Sequence, residues 1–372
     1  MFRNRGNSSR IIHLHNIDGT PTIIKQPGKL NQATHQTVLQ ALGQRASRFR
    51  VGGRLVASKA TSHSWSLLDK TGTTNARFNC EEIQQQERKD IRGVYDKILQ
   101  VHGVLPGRKD DGIIRLLYEN ANGIPNRLGG NKKLDKAKEL IDELGADVVA
   151  YNEHQQNLRH KDNRNGWNQL FRGGESDVRS IIARNIHEAD IIGRVQEGGT
   201  GLLMFRPITE YLDMAASEKY RSGLGRWTTM LLKGSSGVQT RIICGYNPCK
   251  SNRQDNSTSY SQQRRHQIWQ GDHITCPQVK FREDLGKLLK DWRAGGNKLV
   301  VCMDANENIC MQALEKMLKD PEGLGMVEAV GAYTGKKIGP TYFHGQKPID
   351  GIWTTPDITI ANACVMPTGY GI

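Results

Sequence analysis

From residue 113 onward the chain alternates two kinds of apolar pattern, and that alternation leaves few folds open. Short apolar runs at 113–118, 147–151, 201–205, 228–232, 241–246 and 299–303 have the length and β-branched content of strands. Between the first two runs, Leu134, Ala137, Leu140, Ile141 and Leu144 recur at helical spacing. Phe281, Leu285, Leu288, Leu289 and Trp292 do the same ahead of the last run. The opening is therefore β-helix-β, and the class is α/β or α+β with much sheet. No segment repeats with a period of 20–50 residues, which argues against a solenoid or propeller.

The 112 residues before this region differ in composition. They carry 18 Lys and Arg against 9 Asp and Glu, a net +9, out of +14 for all 372 residues. Residues 1–79 are rich in Ser, Thr, Asn, Gln, Gly and Arg, with only short apolar clusters such as Thr22-Ile23-Ile24. Such a segment buries little apolar surface, so the reading is a basic, largely disordered extension. A helix is expected over 81–101, with Asn79 as its cap and Glu82 at the capping-box position. Pro106 to Gly112 then reads as a linker. The expected organisation is an extension (1–79), a helix and linker (80–112) and one domain (113–372).

The charge favours a polyanionic partner, because Lys and Arg release counterions when they neutralise phosphates. Seven cysteines lie scattered without a C-x-x-C pair and read as reduced, mostly buried thiols. No stretch approaches about 20 consecutive apolar residues, and the basic start Met1-Phe2-Arg3-Asn4-Arg5 leads into polar residues. The expectation is an intracellular protein, nuclear or cytoplasmic, neither secreted nor membrane-bound.

Chemistry-bearing side chains collect where the strands end. The first strand runs into Asn120-Ala121-Asn122-Gly123, the second into Asn152-Glu153-His154, and the late one into Asp304-Ala305-Asn306. Glu153 and Asp304 are hard oxygen donors suited to Mg²⁺ or Mn²⁺, and Asn120 and Asn306 can orient water or phosphate. Each piece alone also has a bland reading: Asn-Gly is an ordinary turn, and Asp-x-Asn after a strand is a common Asx turn.

Their order and shared location resemble the exonuclease/endonuclease/phosphatase superfamily, most of all the endonuclease domains of LINE-type retrotransposons and abasic-site endonucleases. That resemblance implies a four-layered α-β-β-α sandwich over about 113–372. It implies that Asn120 closes the first strand and that Glu153 holds a Mg²⁺ or Mn²⁺ ion with Asn120 and Asp304 nearby. Gly198-Gly199-Thr200-Gly201 is similar to the family's glycine-led strand, a scaffold feature. Tyr246-Asn247-Pro248 resembles a tyrosine turn that approaches the scissile phosphate. Asp304 would activate the attacking water and Asn306 would help position it. Thr341, together with Asp350, is similar to a late Thr/Asp pair in which the Asp orients a histidine; Asn122 and Thr341 stand on the substrate side.

One departure stands out. The family continues past the Ile-Asp strand to an Asp-His motif and a last strand, whereas this sequence ends at Thr368-Gly369-Tyr370-Gly371-Ile372. The resemblance then implies a sheet edge left unpaired and a metal-dependent nicking endonuclease of a retrotransposon-like element whose turnover is crippled. DNA is the expected partner, with a reverse transcriptase downstream in the parent element. The alternatives are a phosphatase or phosphodiesterase acting on a small or lipid phosphate, and a non-catalytic nucleic-acid-binding remnant. Gln262-Gln263-Arg264-Arg265 could lie by a phosphate backbone, though a solvated helix start explains it more simply.

Overall fold

A computed structural model describes residues 10–15, 109–124, 132–157, 166–171, 178–187, 196–234, 236–253, 258–342 and 346–366, with the backbone of four short strands between 50 and 79. The chain divides into two units, Ile23–Lys97 and the remainder. In the smaller unit Arg50–Val51 pairs with Arg54–Leu55, and Ser64–Leu68 with Thr74–Asn79, both antiparallel. The helix expected over 81–101 lies outside the described residues.

The larger unit is a sandwich of two six-stranded sheets. The first contains β1 (Arg10–His15), β2 (Ile113–Asn120), β3 (Val148–Asn152), β4 (Val178–Ala183), β5 (Thr200–Phe205) and β12 (Ile360–Val365). The second contains β6 (Leu212–Asp213), β7 (Trp227–Lys233), β8 (Gln239–Tyr246), β9 (Lys298–Asp304), β10 (Val327–Glu328) and β11 (Asp350–Thr354). Their orders are β12-β1-β2-β3-β5-β4 and β6-β7-β8-β9-β11-β10.

Each sheet has one parallel pair, β2 with β3 and β8 with β9. A parallel pair needs a crossover, usually helical. The first is α1 (Lys132–Leu144). After α2 (Gly166–Leu170) and α3 (Met214–Lys219), the second crossover holds α4 (Ser259–Trp269) and α5 (Pro277–Ala294). The buried stripe of α1 packs with Trp167 and Leu170 of α2 on Leu117, Val149 and Leu203 of the first sheet. Phe281, Leu285 and Leu289 of α5, with Leu314 and Leu318 of α6 (Ala313–Lys319), cover the second. Helices outside, sheets inside: this is the four-layered sandwich that the resemblance implies, within the class read from the alternating pattern.

The amino-terminal segment corrects one expectation. Residues 10–15 are not part of a disordered extension. They form an inner strand, antiparallel to both β2 and β12. The physical reason is the run Arg10-Ile11-Ile12-His13-Leu14, whose Ile12 and Leu14 enter the core between the sheets while Ile11 enters the core beneath α1. Composition averaged over 79 residues conceals a six-residue strand whose partners lie far away in sequence. The place between β2 and β12 is thus filled. Arg10 is fully buried and meets the Glu328 carboxylate at 2.8 Å, linking one sheet to the other. Removing one partner of such a pair typically costs about 3–5 kcal/mol, because the other is left charged and buried. Among the described residues no helix is long and apolar enough to cross a membrane.

Candidate active site

Strand side chains alternate between faces, so every second residue points into the space between the sheets. On β2 these are Ile114, Leu116, Tyr118 and Asn120; on β3 they are Val148, Ala150 and Asn152. On β8 the row is Ile242, Cys244 and Tyr246, and on β9 it is Val300, Cys302 and Asp304. The antiparallel β11 reverses the order, Asp350 and then Ile352. Each row is largely apolar until one end, and register sets those ends level: Asn120 opposite Asn152, Tyr246 opposite Asp304, Asp304 opposite Asp350. The core therefore turns polar at one end of the sandwich.

The polar groups are bonded across the two sheets. The Asn120 side-chain amide donates to Asp304 Oδ2 at 2.8 Å. Tyr118 donates its hydroxyl to Asp350 Oδ1 at 2.9 Å, and the Thr341 hydroxyl donates to Asp350 Oδ2 at 2.9 Å. Thr341 is buried, and its oxygen also accepts from the backbone N–H groups of Ile349 and Asp350. Asp304 Oδ1 accepts from the Asn306 N–H at 2.9 Å, while the Asn306 amide donates to the Asn247 carbonyl at 2.7 Å. Asn122 donates its N–H to Asn120 Oδ1 at 3.1 Å and accepts from the Gln155 amide. Tyr246 shares side-chain hydrogen bonds with Glu153 and with Ser259 at the start of α4. All eight residues singled out in the sequence thus belong to one cluster. Asp304, Asp350 and Tyr246 are its buried floor, and Asn122, Glu153 and Asn306 its partly exposed lip.

Crowding of carboxylates sets the electrostatics. Burial, then Asp350 and Glu153, push Asp304 well above the usual carboxylate range, against the opposing pull of the Asn306 N–H and the Asn120 amide. Burial also raises Asp350, while Arg10, Thr341 and Tyr118 hold it down. Burial pushes Tyr246 well up, with Glu153 and Asp304 adding to it, so it remains a neutral O–H donor.

Backbone strain collects here too. The non-glycine residues with positive φ among those described are Asn122 (43°), Glu153 (50°), Gln155 (54°) and Asn306 (47°). Such backbone costs on the order of 1–3 kcal/mol per residue and persists only where surroundings enforce it. For Glu153 the enforcement is visible: Gly123 donates its N–H to the Glu153 carbonyl at 2.7 Å, and Ile124 donates to that of His154 at 2.9 Å. His154 itself is buried, with Nε2 at 3.0 Å from the Ala183 carbonyl and Nδ1 accepting from the Gln156 N–H. Burial lowers its pKa to about 4. Gly199, at φ +89°, lies against this imidazole so closely that a Cβ would fall 2.2 Å from Nε2.

Tyr118, Asn152 and Ser259 were not singled out in the sequence. The first two could have been found by counting back two residues from Asn120 and by extending the inward row of β3. Nothing local marks Ser259, which is brought in by the crossover.

No family model and no curated protein matches the sequence. Among solved structures the chain is similar to the endonuclease domain of TRAS1, a telomere-specific non-LTR retrotransposon, at 12% identity over 68% of this chain and 97% of that one, with a TM-score of 0.37. The AP endonuclease LMAP from Leishmania major is 10% identical over 72% and 90%, with a TM-score of 0.46. The catalytic domain of human Nocturnin with bound sulfate is 13% identical over 72% and 98%, with a TM-score of 0.43. These neighbours have the endonuclease/exonuclease/phosphatase fold.

Among the described residues, no group of three or more His, Cys, Asp or Glu is arranged to hold a metal ion. Mg²⁺ requires fewer protein ligands, since it usually keeps several waters and takes one or two carboxylates. Glu153 at the lip and Asp304 beneath it fit that need, and their mutual repulsion is what a divalent cation would relieve.

Proposed function

We propose that the chain hydrolyses phosphodiester bonds in nucleic acid with the aid of Mg²⁺ or Mn²⁺, as a nicking endonuclease of a retrotransposon-like element. The observation that carries this reading is the convergence of Glu153, Asp304 and Asp350 with Asn120, Asn306 and Tyr246 at the one end where the core turns polar. Glu153 would hold the cation, with Asn120 and Asp304 beside it. When bound, such an ion supplies Lewis acidity toward phosphate oxygens.

The chain's own residues do the remainder. Asp304, whose proton affinity is raised by its neighbours, takes the proton of the attacking water. The Asn306 N–H holds that carboxylate in place. Tyr246 donates its O–H toward the phosphate, and Asn122 stands where the substrate strand would pass. Thr341 acts beneath the site, fixing Asp350. The described cluster has no imidazolium, because His154 has both nitrogens engaged and stays neutral at pH 7. Without an imidazolium there, turnover is expected to fall roughly 10²–10⁴-fold short of a complete site.

Plasmid nicking with Mg²⁺, with enzyme in excess, tests the reading. Wild type is expected to nick slowly, EDTA to stop it, and Asp304→Asn to reduce it by a further 10²-fold or about that. Nicking that is equal in wild type and Asp304→Asn would count against it. Release of phosphate from a small phosphomonoester without nicking would favour a phosphatase instead.

A further inference from the structure

Beneath the carboxylates lies a second row of polar groups, and chemistry fixes the direction of its hydrogen bonds. Tyr118, Asn152 and Cys244 are fully buried between the sheets, within two residues of the strand ends that carry the cluster. Burial pushes both the Cys244 thiol and the Tyr118 phenol up, with Asp350 adding to the second, so each keeps the hydrogen it donates.

An asparagine side chain has one accepting oxygen and two N–H donors on its nitrogen. The Asn152 nitrogen lies 2.8 Å from the Gly245 carbonyl oxygen, a group that can only accept, which settles the orientation of the amide. The second N–H then donates to the Tyr118 hydroxyl oxygen at 3.0 Å. Tyr118 accepts there and has a single hydrogen to give, which goes to Asp350 Oδ1 at 2.9 Å. On the other side of the amide, Asn152 Oδ1 accepts from the Cys244 thiol at 2.8 Å; the same sulfur lies 3.4 Å from the Tyr151 carbonyl. The row is therefore a relay with one sense, from Cys244 through Asn152 and Tyr118 to Asp350. It starts on β8 of the second sheet, passes through β3 and β2 of the first, and returns to the second at β11. Asp350 ends it as an acceptor on both oxygens, since Thr341 donates to Oδ2 at 2.9 Å.

We infer that Tyr118 and Asn152 are positioning residues of the proposed reaction, aiming a fixed O–H donor at Asp350 and so holding that carboxylate in one orientation opposite Asp304. The β9–β11 register sets Asp350 directly across from Asp304. A group that takes a proton is helped by a negative charge beside it, and most by one already held in place, because fixed charges need no reorganisation as the reaction proceeds. Two O–H donors hold the plane of Asp350, and Asn152 in turn decides which way the Tyr118 hydroxyl points. Apolar side chains of similar size would fill the same space without orienting anything, so the direction of the bonds, and not the burial, carries the assignment. The inference rests on the phosphodiester reading above; the relay itself requires no catalysis.

Two measurements on the full chain test it. The first is plasmid nicking with Mg²⁺ over a range of enzyme concentrations in excess of DNA. Tyr118→Phe removes one oxygen atom; it is expected to lower the maximal rate about ten-fold, as the loss of a hydrogen bond to a charged group should, with the half-saturating concentration within about two-fold of wild type. Asn152→Leu should lose about as much, and the double variant no more than either single one, because all three break the same relay. The second is ¹³C NMR in EDTA with tyrosine labelled at Cζ, the ring carbon that bears the hydroxyl, where Tyr118→Phe identifies the Tyr118 signal. Asp350→Asn, which removes the charge on its acceptor, and Asn152→Leu, which removes its donor, are each expected to displace that signal. A maximal rate for Tyr118→Phe equal to wild type overturns the inference and leaves the relay as a tie between the sheets. A loss confined to the half-saturating concentration overturns it too, as does a Tyr118 signal that neither substitution moves. A displaced signal in a wild type that does not nick defeats the catalytic reading and leaves the relay as what orients Asp350; nicking that survives Tyr118→Phe intact defeats only the inference drawn here.

Discussion

The two sheets contribute unlike halves to the cluster. The first sheet presents Glu153 one residue past the end of β3, on strained backbone and partly open to solvent. The second presents Asp304 as the last residue of β9 itself, on regular backbone and buried. A carboxylate inside a strand end is oriented by the ladder and desolvated by the core, which suits a proton acceptor. A carboxylate that must reach an ion in water has to leave the ladder, so its loop needs separate support. Here that support is His154, the residue after Glu153, whose buried ring lies against Gly199.

The largest effect that would break this contrast is expected from Gly199→Ala. The added carbon meets the His154 ring at a backbone angle that disfavours any side chain, so a loss of about 3 kcal/mol in urea unfolding is predicted. A loss under about 1 kcal/mol would mean the loop is not pinned there.

A comparable effect divides the halves by pH. His154 has a folded pKa depressed to about 4, so its contribution is present above its ordinary value of 6.5 and is lost as pH falls toward 4; 2.5 units correspond to roughly 3 kcal/mol. Asp304 has the opposite sign: its folded pKa is raised, so its contribution is present below the ordinary carboxylate value and is lost as pH rises through the folded one. In EDTA, His154→Gln should flatten the acid limb of the stability profile, and Asp304→Asn the limb toward neutrality. Both are read from urea midpoints at pH 4.5 to 8. Profiles of identical shape in wild type and both variants would remove the contrast.

Much of this arrangement is legible in the sequence, for a simple reason. Reading every second residue of the strands gives apolar rows that end in Asn120, Tyr246 and Asp304, so the same pattern that predicts the sheets also predicts where they turn polar. What depends on distant pairing is not legible. Arg10–His15 has no local partner, and its role is fixed by strands that begin at Ile113 and Ile360. The burial of Arg10 against Glu328 depends on that placement. The positive φ of Glu153 and Asn306 likewise follows from contacts made by neighbouring loops, since neither residue type demands it.

The central claim is that the two carboxylate-bearing halves meet to hold a divalent cation. Calorimetric titration of the full chain with Mn²⁺ alone at pH 7.5, comparing wild type with Glu153→Gln, tests it most directly. The account predicts one site per chain in wild type and affinity at least about ten-fold weaker in the variant, with melting in EDTA unchanged. Equal Mn²⁺ binding by the two proteins, or none by wild type, would contradict it.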